Sequence, residues 1–151
     1  MRRSAGVMLY RRRHSELDVL LVLPGGPYWE GRDLGAWQIP KGEIGAGEDV
    51  MVAARREAQE ELGLELTGPM ESLGKIRQKG GKLVTAFAVE QDFDCSTLVS
   101  NHFEMEWPLR SGMRQRFPEV SAARWFALED ARAAILPSQA PLLDRLVEQV
   151  G

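Results

Sequence analysis

The chain has 151 residues, 44% of them apolar and 27% charged, with a formal net charge of −3. This length supports one domain, residues 1–151, with a core able to fold alone, and the mild acidity gives no reason to expect a nucleic-acid or membrane surface. The single cysteine, Cys95, excludes an intramolecular disulfide and fits a reducing, cytoplasmic setting.

In chain order, residues 6–10 and 18–23 are β-rich runs separated by the charged segment 11–16, and they read as a strand pair. The N-terminus carries arginines but only a short apolar run, so it reads as a strand and not a signal sequence. No window approaches the length of a membrane span. Pro24-Gly25-Gly26-Pro27 ends the second strand, and a long loop with Tyr28 and Trp29 runs to Ala36. Trp37-Gln38-Ile39 is a short strand halted by Pro40. Asp49 is a helix opener and Gly63 suits the left-handed position that closes one, so a helix is expected from Asp49 or Val50 to Leu62. Residues 73–78 and 83–90 flank Lys79-Gly80-Gly81-Lys82 as a hairpin. Residues 101–107 form a further strand, followed by a loop to Glu119. Residues 123–127 are a strand, 128–135 a helix broken by Pro137, and 141–150 a terminal helix with Leu142, Leu143, Leu146 and Val150 on one face. Mixed strands with few helices give an α/β class, a sheet covered by helices.

The chemistry concentrates at Glu57, Glu60 and Glu61, spaced i, i+3 and i+4. On a helix these share one flank. Ionised carboxylates about 6 Å apart repel by up to roughly 3 kcal/mol per pair at an effective dielectric near 20. A divalent cation with oxygen ligands would offset this, and Mg²⁺ is typical where phosphates are co-ligands. The ordinary alternative is a solvated acidic face paired with Arg55 and Arg56. Against it, Val50, Ala54, Glu57, Ala58 and Glu61 point to one side, so two acids lie in or beside the apolar stripe.

Residues 42–64 read GEIGAGEDVMVAARREAQEELGL, which resembles the Nudix box, G-x5-E-x7-R-E-U-x-E-E-x-G-U with U apolar. Gly42, Glu48, Arg56, Glu57, Glu60, Glu61 and Gly63 fill the fixed positions, and Ala58 and Leu64 the apolar ones. With typical residue usage, a chance match of seven fixed positions has odds on the order of 10⁻⁶. The resemblance covers most of the chain, from about Ser4 to Leu146.

That resemblance implies the Nudix fold, a mixed β-sheet sandwiched between α-helices. It also implies attack of water on a pyrophosphate-type linkage in a nucleoside diphosphate joined to another group, with Mg²⁺, or Mn²⁺ in its place, as cofactor. Glu57, Glu60 and Glu61 would be metal ligands, together with the backbone carbonyl of Lys41. Glu57 or Glu61 would double as the base. Glu48 and Arg56 would pair to hold the box loop against the helix, with Gly42 and Gly63 also structural. A late-loop acid six residues before a strand tryptophan is common in the family. Here Glu119 precedes Trp125 by that offset, and it becomes the candidate for a further metal ligand or base, with Glu104 and Glu106 as rivals.

For the substrate, Lys41, Arg110, Arg114 and Arg116 are candidates for phosphate contact, since arginine forks suit bidentate recognition. Lys75, Arg77, Lys79 and Lys82 form a second basic group on the hairpin. Trp29 is the candidate for base stacking, with Tyr28 and Trp107 as alternatives to it. Each has a plainer reading as solvated charge or packing anchor, and His14, His102 and Met51 are assigned no chemistry. Trp37-Gln38-Ile39-Pro40-Lys41-Gly42 resembles the W-x-x-P-K-G segment of the diadenosine tetraphosphate and diphosphoinositol polyphosphate branches. The expected reading is therefore hydrolysis of dinucleoside polyphosphates. Modified nucleoside triphosphates, ADP-ribose, capped RNA ends and a non-catalytic nucleotide-sensing module are the alternatives. The intact glutamate set argues against the module. The expected partner is a small nucleotide, with homodimerisation also considered.

Overall fold

The computed structural model describes residues 2–78 and 80–151. Lys79, one of the expected basic residues of the hairpin, lies outside the described residues.

The first two strands, β1 (Arg3–Arg13) and β2 (Glu16–Pro24), run straight through the charged segment expected to separate them. Their register places Arg11 opposite Asp18, and the two side chains pair at 3.3 Å. Cross-strand charge pairing of this kind makes charged residues acceptable in a strand. A two-residue turn, His14-Ser15, closes the hairpin with both residues at positive φ, 51° and 69°. Residues 37–39 form only isolated bridges, to Val22 and Ile135. The strand at this point is instead β3 (Lys41–Glu43), directly after Pro40. Helix α1 spans Val50–Leu62, and the strands β4 (Glu71–Arg77) and β5 (Leu83–Glu90) follow.

The chain expected to be a loop between Glu106 and Glu119 is half of a separate two-stranded sheet. In it, β6 (His102–Glu106) pairs with β7 (Arg114–Pro118). The last strand, β8 (Val120–Ala127), leads into α2 (Leu128–Ala134), and α3 (Pro141–Val150) closes the described fold. The main sheet has the order β4-β5-β1-β2-β8, with β3 on β1. Strand β1 pairs in parallel with β5 along one edge. On its other edge Tyr10 to Arg13 pair with β2 and Ser4 to Gly6 with β3, both antiparallel.

Both faces of the sheet are covered. Ala53, Ala54, Ala58 and Leu62 of α1 pack on Ala5, Val7, Leu9 and Leu20. On the opposite face Leu142, Leu143 and Leu146 of α3 pack with Met8, Leu21 and Ile39. Alternation along β1 produces this division, because successive side chains point to opposite faces. Among the described residues no helix is long and apolar enough to cross a membrane.

Candidate active site

Helix α1 forms where its signals lie. The Asp49 side chain accepts hydrogen bonds from the N–H groups of Met51 and Val52, at 3.0 and 3.2 Å. Gly63 stands in the left-handed region at φ 72°, and a β-carbon there would also press on Val99. The buried residues are Ala53, Ala54, Glu57, Ala58 and Leu62, while Val50 and Glu61 are half-buried. Alanines bring the helix backbone close to the sheet. A carboxylate on that flank therefore ends against the backbone of β3.

Glu57 is 6% exposed. Its carboxylate fills the space that a β-carbon on residue 42 would occupy, well inside van der Waals contact. Gly42 thus makes room for Glu57. Beside it, the backbone bonds Val7 N–H to Pro40 O and Ile44 N–H to Arg3 O flank β3. By the alternation of an antiparallel ladder, Lys41 points its N–H and C=O away from β1. Its N–H is turned toward the Glu61 carboxylate. Its carbonyl therefore faces the same side.

The Arg56 guanidinium uses all of its donors here. Nε and Nη2 bond the two oxygens of Glu48 at 2.8 and 3.0 Å, and Nη2 also reaches the Glu43 carbonyl at 2.8 Å. Nη1 bonds Glu57 at 2.8 Å and Glu60 at 3.1 Å. Glu48 also accepts from Gly45 N–H at 2.8 Å. The Arg56 bonds, then Gly45, hold the Glu48 carboxyl down at about 2. The Glu48 bonds come first in raising the affinity of Arg56 for its proton.

Part of the repulsion expected among the glutamates is therefore met by Arg56, which bridges Glu57 and Glu60. Glu61 lacks that bridge. Burial first, then Glu57, pushes it up to about 8, with Lys41 opposing and Glu119 adding to the rise. Burial and then Glu60 raise Glu57, with Arg56 opposing. Burial, then Lys82, lowers Lys41, while Glu61 and Glu57 act against this. Glu119 is half-buried, and burial and then Glu60 raise it. Four carboxylates from α1 and the chain just before β8 thus share one electrostatic site, with Lys41 at its edge.

Glu119 comes here through the segment 99–101, which sequence reasoning did not single out. Val99 and Asn101 donate backbone hydrogen bonds to Leu62 O and Glu60 O at 3.3 and 2.8 Å. Such carbonyls in the last turn of a helix have no partner within it. The Asn101 carbonyl then accepts from Glu119 N–H at 2.8 Å.

The rival acids lie elsewhere. Glu104 and Glu106 share the exposed face of β6. Glu106 accepts from the N–H groups of Arg110 and Gly112, at 3.0 and 3.1 Å, and so caps the turn of its own hairpin. The same register sets Arg116 opposite Glu104 and Arg114 opposite Glu106. The expected loop carrying Arg110, Arg114 and Arg116 is therefore a hairpin. Arg114 and Arg116 stand on a hairpin strand facing acids, and Arg110 sits in its turn. Trp29 lies under the Arg32 guanidinium, 5.3 Å from its ring centroid. Tyr28 instead meets Trp107 edge to face at 5.5 Å, joining the loop after β2 to the end of β6. Cys95 is half-buried, which raises its thiol, so it is not activated.

Among the described residues no three acidic, histidine or cysteine side chains form a ready-made metal cage. The Arg56 fork occupies the space between Glu57 and Glu60. The donor set nevertheless suits a hard divalent cation, with carboxylate oxygens crowded against their own charge and a carbonyl on the same side.

A family model described as NUDIX domain matches residues 1–146. An RNA pyrophosphohydrolase of Rhodospirillum rubrum is 29% identical over 169 residues, covering 98% of this chain and 91% of that protein. One from Caulobacter vibrioides is 44% identical over 63 residues, 36% of this chain and 37% of that protein. Among solved structures, a Caenorhabditis elegans Ap4A hydrolase binary complex superimposes with a TM-score of 0.66 at 24% identity, covering 99% of this chain and 98% of that one. The NUDIX domain of Shewanella oneidensis NrtR complexed with ADP ribose gives 0.68 at 17% identity, covering 99% and 88%. With the box complete, its glutamates gathered against β3 and the family model spanning nearly its whole length, the chain belongs to the NUDIX family and is a Nudix hydrolase acting on phosphoric anhydride bonds.

Proposed function

We propose that this hydrolase cleaves dinucleoside polyphosphates such as diadenosine tetraphosphate. The observation that carries the chemistry is the gathering of Glu57, Glu60, Glu61 and Glu119 at one site edged by Lys41. These carboxylates and the Lys41 carbonyl would hold Mg²⁺, which when bound neutralises phosphate oxygens and acidifies a bound water. The Lys41 ammonium, whose proton affinity burial lowers, supplies positive charge to the polyphosphate. Glu61 in its ionised form, which burial makes a stronger base than an ordinary carboxylate, accepts the proton of the attacking water. Glu119 orients that water. Arg56 acts indirectly, holding Glu57 and Glu60 at their places. Tyr28 and Trp107 offer aromatic surface for a nucleobase.

A second reading is removal of pyrophosphate from triphosphorylated or capped RNA 5′ ends, favoured by the similarity to RNA pyrophosphohydrolases along nearly the whole chain. One experiment separates the two. The protein is incubated with Mg²⁺ and diadenosine tetraphosphate, 5′-triphosphorylated RNA or ADP-ribose, and products are resolved by chromatography. Preferred turnover of the dinucleotide supports the first reading. Preferred turnover of the RNA end replaces it with the second, and turnover of ADP-ribose alone removes both.

A further inference from the structure

We infer that Ser100 is a positioning residue for Glu119, clamping the late acid to the end of the box helix. The inference rests on the role given to Glu119 above. The Ser100 hydroxyl sits between two stretches of chain just past the end of the β6–β7 ladder, whose last pair is His102 and Pro118. Its Oγ accepts from Val120 N–H at 3.0 Å and donates to the Asn101 carbonyl at 3.1 Å. That same carbonyl accepts from Glu119 N–H at 2.8 Å, and Asn101 N–H donates to Glu60 O at 2.8 Å. One hydroxyl therefore completes a chain of hydrogen bonds from the carbonyl of one box glutamate to the amides on both sides of the Glu119 carbonyl unit.

The placement has a chemical reason. Glu119 lies between β7 and β8, at the point where the chain leaves a small separate sheet for the main one. At this junction Glu119 is held by two backbone bonds, its N–H to the Asn101 carbonyl at 2.8 Å and its carbonyl to Gly25 N–H at 3.0 Å. Glu119 and Glu60 carry like charge and repel. Backbone bonds from Asn101 hold them together against that repulsion, and the Ser100 hydroxyl fixes the direction of the Asn101 carbonyl. The Asn101 side chain takes no part in these bonds, so the hydroxyl is the only side-chain group in the clamp among the described residues.

The test compares Ser100→Ala, Ser100→Thr, Glu119→Gln and the double variant Ser100→Ala/Glu119→Gln. Turnover is read on diadenosine tetraphosphate, 5′-triphosphorylated RNA and ADP-ribose, and amide exchange is read at Glu119 and Val120. Ser100→Ala is expected to lower kcat by about tenfold with KM unchanged, because a small displacement of a group used in the transition state acts on kcat. Val120 amide exchange should quicken by about tenfold as its acceptor is lost. Ser100→Thr, which keeps the hydroxyl, should restore both. The double variant should be no slower than Glu119→Gln alone. Should Ser100→Ala not fold, Ser100→Cys keeps the volume, weakens the acceptor and carries the same comparison. Wild-type kcat in Ser100→Ala, or losses that multiply in the double variant, would overturn the clamp while leaving the hydrolase and its late acid in place. Wild-type turnover in Glu119→Gln would remove the acid's role and the clamp with it.

Discussion

Replacing Gly42 with alanine puts a methyl group where the Glu57 carboxylate lies. Two effects compete. Gly42 is not in the left-handed region, so alanine fits its backbone, and restricting the unfolded chain would stabilise by about 0.4–1 kcal/mol. Against this, overpacking a filled site costs about 1–3 kcal/mol. The alternative escape, turning Glu57 outward, breaks its charge-assisted bond to Arg56, worth about 1.5–3 kcal/mol. The cheaper route sets the cost, so the net loss is about 1–2 kcal/mol, which for a chain of this size lowers Tm by about 2–8 °C. Either route also moves a carboxylate at the chemistry, and a displacement near 1 Å costs on the order of 10²-fold in rate. Thermal unfolding and single-turnover kinetics of Gly42→Ala, Glu57→Ala and the double variant measure all of this. In the double variant the methyl has room, so a coupling energy above about 0.5 kcal/mol is expected. A Gly42→Ala protein with wild-type Tm and rate, or a cycle that is additive, would refute the contact.

Glu57→Gln and Glu61→Gln should each lose at least about 10²-fold in turnover while folding normally, and chelation should abolish activity until Mg²⁺ or Mn²⁺ is returned. Full activity after exhaustive chelation would end the metal reading. Glu61 also predicts a pH dependence. Its folded value, about 8 without metal, lies above its unfolded one, so the unfolded chain binds fewer protons in that window. Its contribution is complete below the ordinary carboxylate range and is lost as pH rises to about 8, so the metal-free Tm should fall across that range and flatten in Glu61→Gln. Parallel curves for the two proteins would count against it. Glu119→Gln should lower kcat with KM little changed, whereas Glu106→Gln should loosen the hairpin turn it caps and leave chemistry nearly intact. A crippled Glu106→Gln beside a normal Glu119→Gln would move the late acid to β6.

What was legible in the sequence was local. Asp49, Gly63 and the 3.6 period define α1 within a residue, because capping and periodicity are properties of neighbouring residues. Pro137 and the leucines of α3 are read the same way. Strand ends were hidden where charged residues pair across the sheet, as at Arg11 and Asp18. β7 was hidden because Arg114-Gln115-Arg116 carries no apolar alternation. Its Ser111-Gly112 turn signal was the one clue. The spacing of Glu57, Glu60 and Glu61 was visible. The Glu48–Arg56 pair was expected; the further bonds of Arg56 to Glu57, Glu60 and the Glu43 carbonyl were not. The reach of residues 99–101 rests on backbone bonds from Val99 and Asn101 and on the Ser100 hydroxyl, and no periodic side-chain pattern encodes it.

The alanine-lined underside of α1 bears on how the protein breathes. Alanine offers little apolar area, so the helix that carries the chemistry is held to the sheet by few methyl groups, two caps and the Arg56 fork. The sheet beneath it is knitted by long ladders on both edges of β1. Local opening of α1 should therefore require less free energy than opening β1, and its amides should exchange with deuterium sooner. Any ion that grips its carboxylates would draw that opening free energy upward by mass action. The rigidity of the helix would then follow the supply of metal, while that of the sheet would not.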